Sequence, residues 1–314
     1  MNILLLAGGP SPEREVSLAT GKAVKAALED LGHKVSVLEP GSDLPHQLWQ
    51  AKQEGCEFVW IALHGSPGED GTVQAFLDWL ALPYQGSGLL ASAVAMDKVA
   101  AKHLFRSHQI PTPAWVEHPF GYPWTDLLEV LGSPLIIKPV ASGSSVGVHV
   151  LHQASDLQSL AKSSQVTSET WVAEQFIAGK EITISILDGV ILPAVEIIPI
   201  LESFYSYAAK YGVNGSRHLT PTSLTEAGLC RTNAVALAAY RALKCEGLAR
   251  VDLRVDAQED PWVLEVNTLP GMTPTSLAPD AAAALGWSFP DLVQKLLESG
   301  LARFQHGQPS HLRV

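Results

Sequence analysis

Residues 249–267 read ARVDLRVDAQEDPWVLEVN: two alternating segments around a polar turn, a pattern that demands a β-hairpin. With Asp256 facing Pro261 across the turn, Asp252 falls opposite Glu265, and Arg250 opposite Asn267. Opposed side chains lie roughly 4.5–5.5 Å apart at Cβ, where like charges repel unless something neutralises them. Alternation sends Val251, Leu253 and Val255 to one face and Arg250, Asp252 and Arg254 to the other. On the second strand Trp262, Leu264 and Val266 form the apolar set, and Glu265 and Asn267 join the polar face. Two carboxylates and an amide on one face are the donor set of a hard cation such as magnesium. The competing reading is a solvated charge ladder in which Arg250 and Arg254 neutralise the acids.

The rest of the chain bounds what such a site can serve. Its 314 residues, 46% hydrophobic and 17% charged, can bury a sizeable core, and the length suggests two or three domains. With 21 basic against 32 acidic residues the net charge is −11, which disfavours nucleic-acid and anionic-membrane partners. A phosphate ligand must therefore be met by a local group of lysines and arginines. The three cysteines lack CxxC spacing and read as free thiols in a reducing compartment. The N-terminus has no basic segment before its short apolar run, and no stretch reaches the roughly 18 apolar residues of a spanning helix. The expectation is a soluble, cytoplasmic protein.

Along the chain, an apolar run at 3–7 ends in two glycines, and helical spacing follows from Val16 to Leu31, stopped by Gly32. An alternating strand at 34–38, a helix-compatible stretch and a buried strand at 58–63 complete a strand–helix–strand pattern. This implies a parallel, helix-covered sheet with ligand groups at the carboxyl ends of its strands, near Gly8, Gly9, His64 and Gly65. A helix over 91–108 precedes the Pro-rich connector 110–113. Strands are then expected at 135–139, 146–151, 171–176, 181–187 and 190–198, with helices near 122–131 and at 153–162. Residues 202–222 read as a long functional loop, 226–246 as a helix, and 289–302 as the last helix.

Several segments carry possible chemistry. Lys138 lies in an apolar strand that would normally exclude charge, and a Gly/Ser-rich loop, 140–147, follows it. Together they could clamp a polyphosphate through backbone and hydroxyl donors without a Walker motif. An edge-strand lysine beside an ordinary hairpin loop is the plainer alternative. Lys98 opens a helix and offers a second phosphate contact, although single helix lysines usually have no such role. The 174–181 connection could hold an adenine edge and a ribose, or be only a connection. Glu13 and Glu15 at a helix start are sufficiently explained by the helix dipole. His64 sits in a polar, turn-rich segment at a strand end, where a lone histidine is more often structural. Taken together, phosphate clamps, cation ligands and a polar N-terminal pocket describe an ATP-dependent ligation site.

The segments GGPSPEREVSL (8–18), ALHGSPGEDG (62–71), MDK (96–98), IIKPVASGSSVGV (136–148), YSYAAKY (205–211), ARVDLRVD (249–256) and LEVNTLPGMTPTSL (264–277) resemble, in this order, the ATP-grasp superfamily. Within it they resemble the D-alanine–D-alanine ligases. The resemblance spans nearly the whole chain. It implies an α/β protein of three parts: an N-terminal parallel α/β domain (1–92), a small central domain (93–178) and a C-terminal ATP-grasp domain (179–314), with ATP between the last two. It implies ATP-dependent joining of two D-alanine molecules through an acyl phosphate, in the service of peptidoglycan synthesis. A D-alanyl-D-lactate or other dipeptide ligase is the alternative. Two Mg²⁺ are implied, with Mn²⁺ able to substitute and K⁺ a candidate activator, in a homodimer.

By position, the resemblance implies Asp252, Glu265 and Asn267 as metal ligands and Lys98 and Lys138 as phosphate contacts, with Ser144 and Ser145 in the phosphate loop. Glu174, Phe176, Ile177 and Glu181 match the adenine and ribose segment. Glu13 would hold the first D-alanine's ammonium, beside His64. Arg250 and the Gly271 amide would stabilise the oxyanion, while Lys210, Ser276 and the Leu277 amide would cradle the second carboxylate; Lys210 also reaches the nucleotide. Ser144 and Tyr211 would form a hydrogen-bonded set with Glu13, and tyrosine at 211 favours an amine acceptor. Ala141 and Ser142 depart from relatives that carry an acid in this stretch.

Overall fold

The computed structural model describes residues 1–143, 147–163, 170–199 and 216–307. Its first sheet contains β1 (Asn2–Leu6), β2 (Lys34–Leu38) and β3 (Phe58–Ile61), all parallel in the order β2-β1-β3. Helices α1 (Arg14–Asp30), α2 (Leu44–Gln53) and α3 (Thr72–Trp79) make or follow its crossovers. β1 and β3 are buried almost throughout, as a parallel sheet covered on both faces requires.

The helix expected over 91–108 is two helices, α4 (Leu89–Met96) and α5 (Lys98–Ser107). Asp97 breaks it: its backbone is extended, and its carboxylate accepts from the Val99 and Ala100 amides at 3.0 and 2.9 Å. An aspartate that satisfies the open N–H groups of a new helix start cannot also continue the old one.

The second sheet holds β4 (Trp115–Glu117), β5 (Leu135–Pro139), β6 (His149–Leu151) and β7 (Trp171–Gln175), antiparallel in the order β4-β7-β5-β6. Helices α6 (Trp124–Leu131) and α7 (Ala154–Ala161) share a core with Leu135, Ile137, Leu151, Trp171 and Ala173 on one face. Ile136, Lys138, Val172 and Glu174 alternate to the other face, in register with one another.

The third sheet runs β11-β10-β8-β12-β13, built from β8 (Lys180–Leu187), β10 (Val195–Pro199), β11 (Ser216–Leu219), β12 (Leu248–Val255) and β13 (Pro261–Asn267), with β9 (Val190–Ile191) paired to β8. The strand expected over 190–198 is thus two. Residues 216–219, expected within a loop, form edge strand β11 by pairing with β10. Helix α8 (Glu226–Ala242) packs, with α4 and α5, on the apolar face made by Ile182, Ile184, Ile186, Val251, Leu253 and Val255. The opposite face carries Glu181, Thr183, Arg250, Asp252 and Arg254. After α9 (Leu277–Ala283), the last helix α10 (Phe289–Gly307) returns to the first sheet. Its Leu292, Val293, Leu296 and Leu297 share a core with Ile3, Leu5, Phe58 and Trp60.

The β12–β13 register departs from the sequence expectation in one respect. Arg250 pairs with Asn267 and Asp252 with Glu265, as alternation required, but beyond them the partners are Leu253–Val263, Arg254–Trp262 and Val255–Pro261. Leu264 is the extra residue of a β-bulge. Val255, not Asp256, therefore faces Pro261, and Val263 replaces Trp262 and Leu264 in the core beside Val266. Asp256 instead holds the turn, accepting from the Gln258 and Asp260 amides and from Trp262 Nε1.

The return of α10 leaves no room at Gly300. A Cβ there would lie 2.5 Å from the Tyr84 carbonyl oxygen and 3.0 Å from the Phe58 ring. Glycine to alanine inside a helix ordinarily stabilises by up to about 1 kcal/mol. Here Gly300→Ala should instead destabilise by about 1–3 kcal/mol, because backbone must move. Urea unfolding at an unchanged denaturant slope would show a lower midpoint; a raised midpoint would mean that α10 packs more loosely.

Candidate active site

The bulged hairpin delivers three oxygen donors to one face. Asp252 is nearly buried, and all its partners are close. Arg250 donates to both its oxygens at 2.8 Å, and Thr183 Oγ1 donates to Oδ1 at 2.8 Å. Glu265 Oε2 lies 3.3 Å from Lys98 Nζ. Asn267 Oδ1 accepts from the Leu269 amide at 3.0 Å. Arg254 pairs across the strands with Glu181 at 3.2 Å, donates to the Ile177 carbonyl at 3.1 Å and lies over the Phe176 ring. Arginines do neutralise this face, as the charge-ladder reading held. It is not solvated, however: the Arg250, Asp252, Arg254 and Glu181 side chains are each no more than 15% exposed.

Lys98 joins the parts of the site. As the first residue of α5 its amide donates to the Val140 carbonyl at 3.2 Å, and its ammonium donates to the Ser142 carbonyl at 2.7 Å while facing Glu265. One cation thus touches both the loop after β5 and the acidic face of β13. Lys138 lies, buried, on the face of the second sheet away from α6 and α7, 2.9 Å from Glu174 Oε2. Burial alone would raise the Glu174 pKa, but Lys102 and Lys138 outweigh it and hold the carboxyl below its ordinary value.

Glu13, at the entry to α1, reaches the same region from the first sheet. A Cβ on Gly143 would lie 3.0 Å from Glu13 Oε2, and one on Gly65 3.3 Å from it, so both backbones abut that carboxylate. His64 is buried and shares a 3.1 Å hydrogen bond with Thr20 Oγ1. Burial, then the Arg250 charge, pushes it down to about 4, so it is neutral at neutral pH. A Cβ on Gly271 would lie 3.0 Å from Ser276 Oγ. That oxygen accepts from the Thr273 amide, and Ser276 precedes Leu277, the first residue of α9. Ser144, Ser145, Lys210 and Tyr211 lie outside the described residues, as does all of the 202–222 loop before Ser216.

Sequence reading missed two groups. Glu69 accepts from the Gly65 amide at 2.6 Å, with its carboxyl enclosed near Glu13, Arg250 and Glu265. Burial, and then repulsion by Glu13, pushes it up to about 8. Its signal was an acid within the turn segment beside His64. Lys102 is fully buried, and its signal was a lysine at an apolar position of α5, whose inward face is Lys98, Ala101, Lys102 and Phe105.

Comparison with known proteins decides the family. The family model "D-ala D-ala ligase C-terminus" matches residues 110–298. A D-alanine–D-alanine ligase of Synechococcus sp. strain JA-3-3Ab is 60% identical over 96% of this chain and 94% of its own length. That of Gloeobacter violaceus is 49% identical over 96% and 100%. The chain belongs to the D-alanine–D-alanine ligase family. Among solved structures, the Bacillus anthracis D-alanine–D-alanine ligase complexed with ATP superposes with a TM-score of 0.85 at 34% identity, covering 98% of this chain and 100% of that one. This ligase-family fold is the mixed α/β ATP-grasp arrangement that the sequence motifs implied.

Glu69 gives this family member a testable pH dependence. A carboxyl raised from 4.5 to about 8 in the folded state contributes stability below pH 4.5 that is lost as pH rises through 8. Glu69→Gln should therefore flatten the fall in Tm between about pH 5 and pH 9, each pKa unit being worth about 1.4 kcal/mol. Parallel curves for variant and wild type would mean that Glu69 ionises normally.

Proposed function

We propose that this enzyme joins two D-alanine molecules, with ATP, into D-alanyl-D-alanine, ADP and phosphate, supplying peptidoglycan precursors. The observation that carries this reading is the Lys98 ammonium, which meets the Ser142 carbonyl of the glycine-rich loop and the Glu265 carboxylate together. A cation there can meet a terminal phosphate beside the metal face. Family membership supports the same chemistry.

The residues fit the groups this reaction needs. Among the described residues no three His, Cys, Asp or Glu side chains form a metal cluster. Two carboxylates and an amide on paired strands nevertheless suit Mg²⁺, which takes few protein ligands and completes its shell with phosphate oxygens and water. Asp252, Glu265 and Asn267 would hold it, displacing the cationic side chains that meet the two acids now. Bound there, two Mg²⁺ would offset charge on the transferring phosphoryl group. Mn²⁺ suits the same oxygen donors, and K⁺ is a further candidate. Glu174, at the end of β7, with Phe176, Ile177 and Glu181 after it, would line the adenine and ribose end of a nucleotide.

In the first step the carboxylate of one D-alanine, its ammonium held by Glu13 beside His64, attacks the γ-phosphorus, and ADP leaves. In the second, the deprotonated amine of the other D-alanine attacks the acyl phosphate. Arg250 and the Gly271 amide face the developing oxyanion, a role worth about 3–4 kcal/mol per donor. Phosphate then leaves with the former acyl C–O bonding pair. Ser276 and the Leu277 amide would cradle the second carboxylate with Lys210; Ser144 and Tyr211 are assigned to a set with Glu13, and Ser145 to the nucleotide. We assign domains to 1–92, 93–178 and 179–314, a homodimer in solution and a cytoplasmic location; no helix among the described residues is long and apolar enough to cross a membrane.

Phosphate release with D-alanine as the sole amino acid, and a dipeptide mass, tests the reaction; release with D-lactate but not D-alanine would favour the depsipeptide alternative. Glu265→Ala should abolish turnover, and near-normal activity would remove the hairpin from the site. Arg250→Ala should lower kcat far more than it raises KM, since its contact belongs to the transition state. A change confined to KM would move Arg250 into ground-state binding.

A further inference from the structure

Lys102 has no part in the reaction steps above, yet among the described residues it is the most enclosed charge near the site, with its side chain 0% exposed. Its ammonium donates to Thr112 Oγ1 at 2.8 Å and to the Pro113 carbonyl at 3.0 Å, and faces Glu174 Oε1 at 3.2 Å. Thr112 Oγ1 donates onward to the Val263 carbonyl at 2.8 Å, and the Val263 amide donates to the Pro111 carbonyl at 2.9 Å. Val263 adjoins the bulge in β13, two residues before Glu265. Lys102 therefore stands where the 110–113 connector, the metal-bearing strand and the nucleotide face of the second sheet meet.

The shared partner gives this position a consequence. One Glu174 carboxylate, 2% exposed, takes Lys102 at one oxygen and Lys138 at the other, the latter at 2.9 Å. Lys138 has three N–H donors, so a phosphate that it meets would share its charge with Glu174. A buried carboxylate left without a cation is strongly unfavourable.

We propose that Lys102 is a positioning residue for the nucleotide: it keeps Glu174 compensated and fixed to the connector, so that Lys138 can share its charge with the phosphates. This rests on the ATP-dependent ligation proposed above and deepens it. Lys102 is not in contact with the reacting atoms; it acts through Glu174 and Lys138. Burial pushes its pKa down to about 8, with Glu174 opposing and Lys138 adding to the shift. Besides those two groups it faces the Trp115 ring, whose surroundings include Arg106 and the His103–Glu117 pair.

The test is direct ATP binding with Mg²⁺ and no D-alanine, by titration calorimetry, alongside steady-state kinetics. Lys102→Met should weaken ATP binding on the order of thirtyfold or more, as for a buried pair that loses one partner. Its KM for D-alanine should stay within about twofold, the ordinary scatter of neutral changes. Wild-type affinity should fall above about pH 8 as Lys102 loses its proton, and this inflection should be missing in Lys102→Met. Should Lys102→Met fail to fold, Thr112→Val removes one anchor, keeps every charge and should give a smaller loss in the same direction. Unchanged ATP affinity in folded Lys102→Met, or in Thr112→Val, overturns the proposal, as does an equal rise in both KM values. A wild-type protein that neither binds ATP nor ligates D-alanine defeats the functional reading instead.

Discussion

Asp252 and Glu265 can face one another across two hydrogen-bonded strands only because cations meet them from separate directions. Arg250 grips Asp252 with two parallel hydrogen bonds from its own strand, and Lys98 approaches Glu265 from the start of α5. Opposed carboxylates at this spacing would otherwise repel and splay the ladder. The arrangement explains how two sheets and a helix meet here. The hairpin supplies acids, α5 supplies the ammonium, and the loop after β5 is drawn in through its carbonyl at Ser142. Charges held by charges set the geometry of this face, apart from the apolar core behind the sheet.

Those cores are where the sequence was most legible. Period-two alternation in 249–255 placed Val251, Leu253 and Val255 inward and the site residues outward, because a strand has only two faces. The acid pairing was readable at the site end although the turn was assigned to begin one residue too late, at Ala257 and not at Asp256. The bulge at Leu264 absorbs that one-residue difference before Glu265 is reached. A bulge leaves no mark in a hydrophobic pattern this short, and Trp262 and Val263 are both plausible core residues until the ladder is seen. The break at Asp97 was hidden for a related reason. Alanine-rich spacing runs through it without interruption, and only the N–H groups of Val99 and Ala100 reveal that the aspartate begins a new helix.

The site was legible wherever function and strand position coincide. Lys138 and Glu174 occupy facing strands, and their pairing follows from the order of the second sheet, which no local pattern supplies. Glu69 and Lys102 escaped because their character comes from what encloses them. An acid in a polar turn and a lysine in a helix are ordinary until tertiary contacts remove water from both. Each then titrates near 8, one pushed up and the other down by the same loss of hydration.

That common cause separates two ways in which this structure handles a buried charge. Around Glu13, where three carboxyls and one guanidinium gather, Glu69 is driven towards its neutral form, so three like charges need not share the space at neutral pH. Around Glu174, two ammonium groups flank one carboxylate, and the acid stays charged while Lys102 bears the strain. The first arrangement suits a pocket that must admit an ammonium without a surplus of negative charge. The second keeps a carboxylate ionised between two ammonium groups where water is excluded. The difference follows from which sign is in excess locally, and that excess is set by helix and strand positions fixed before any ligand arrives.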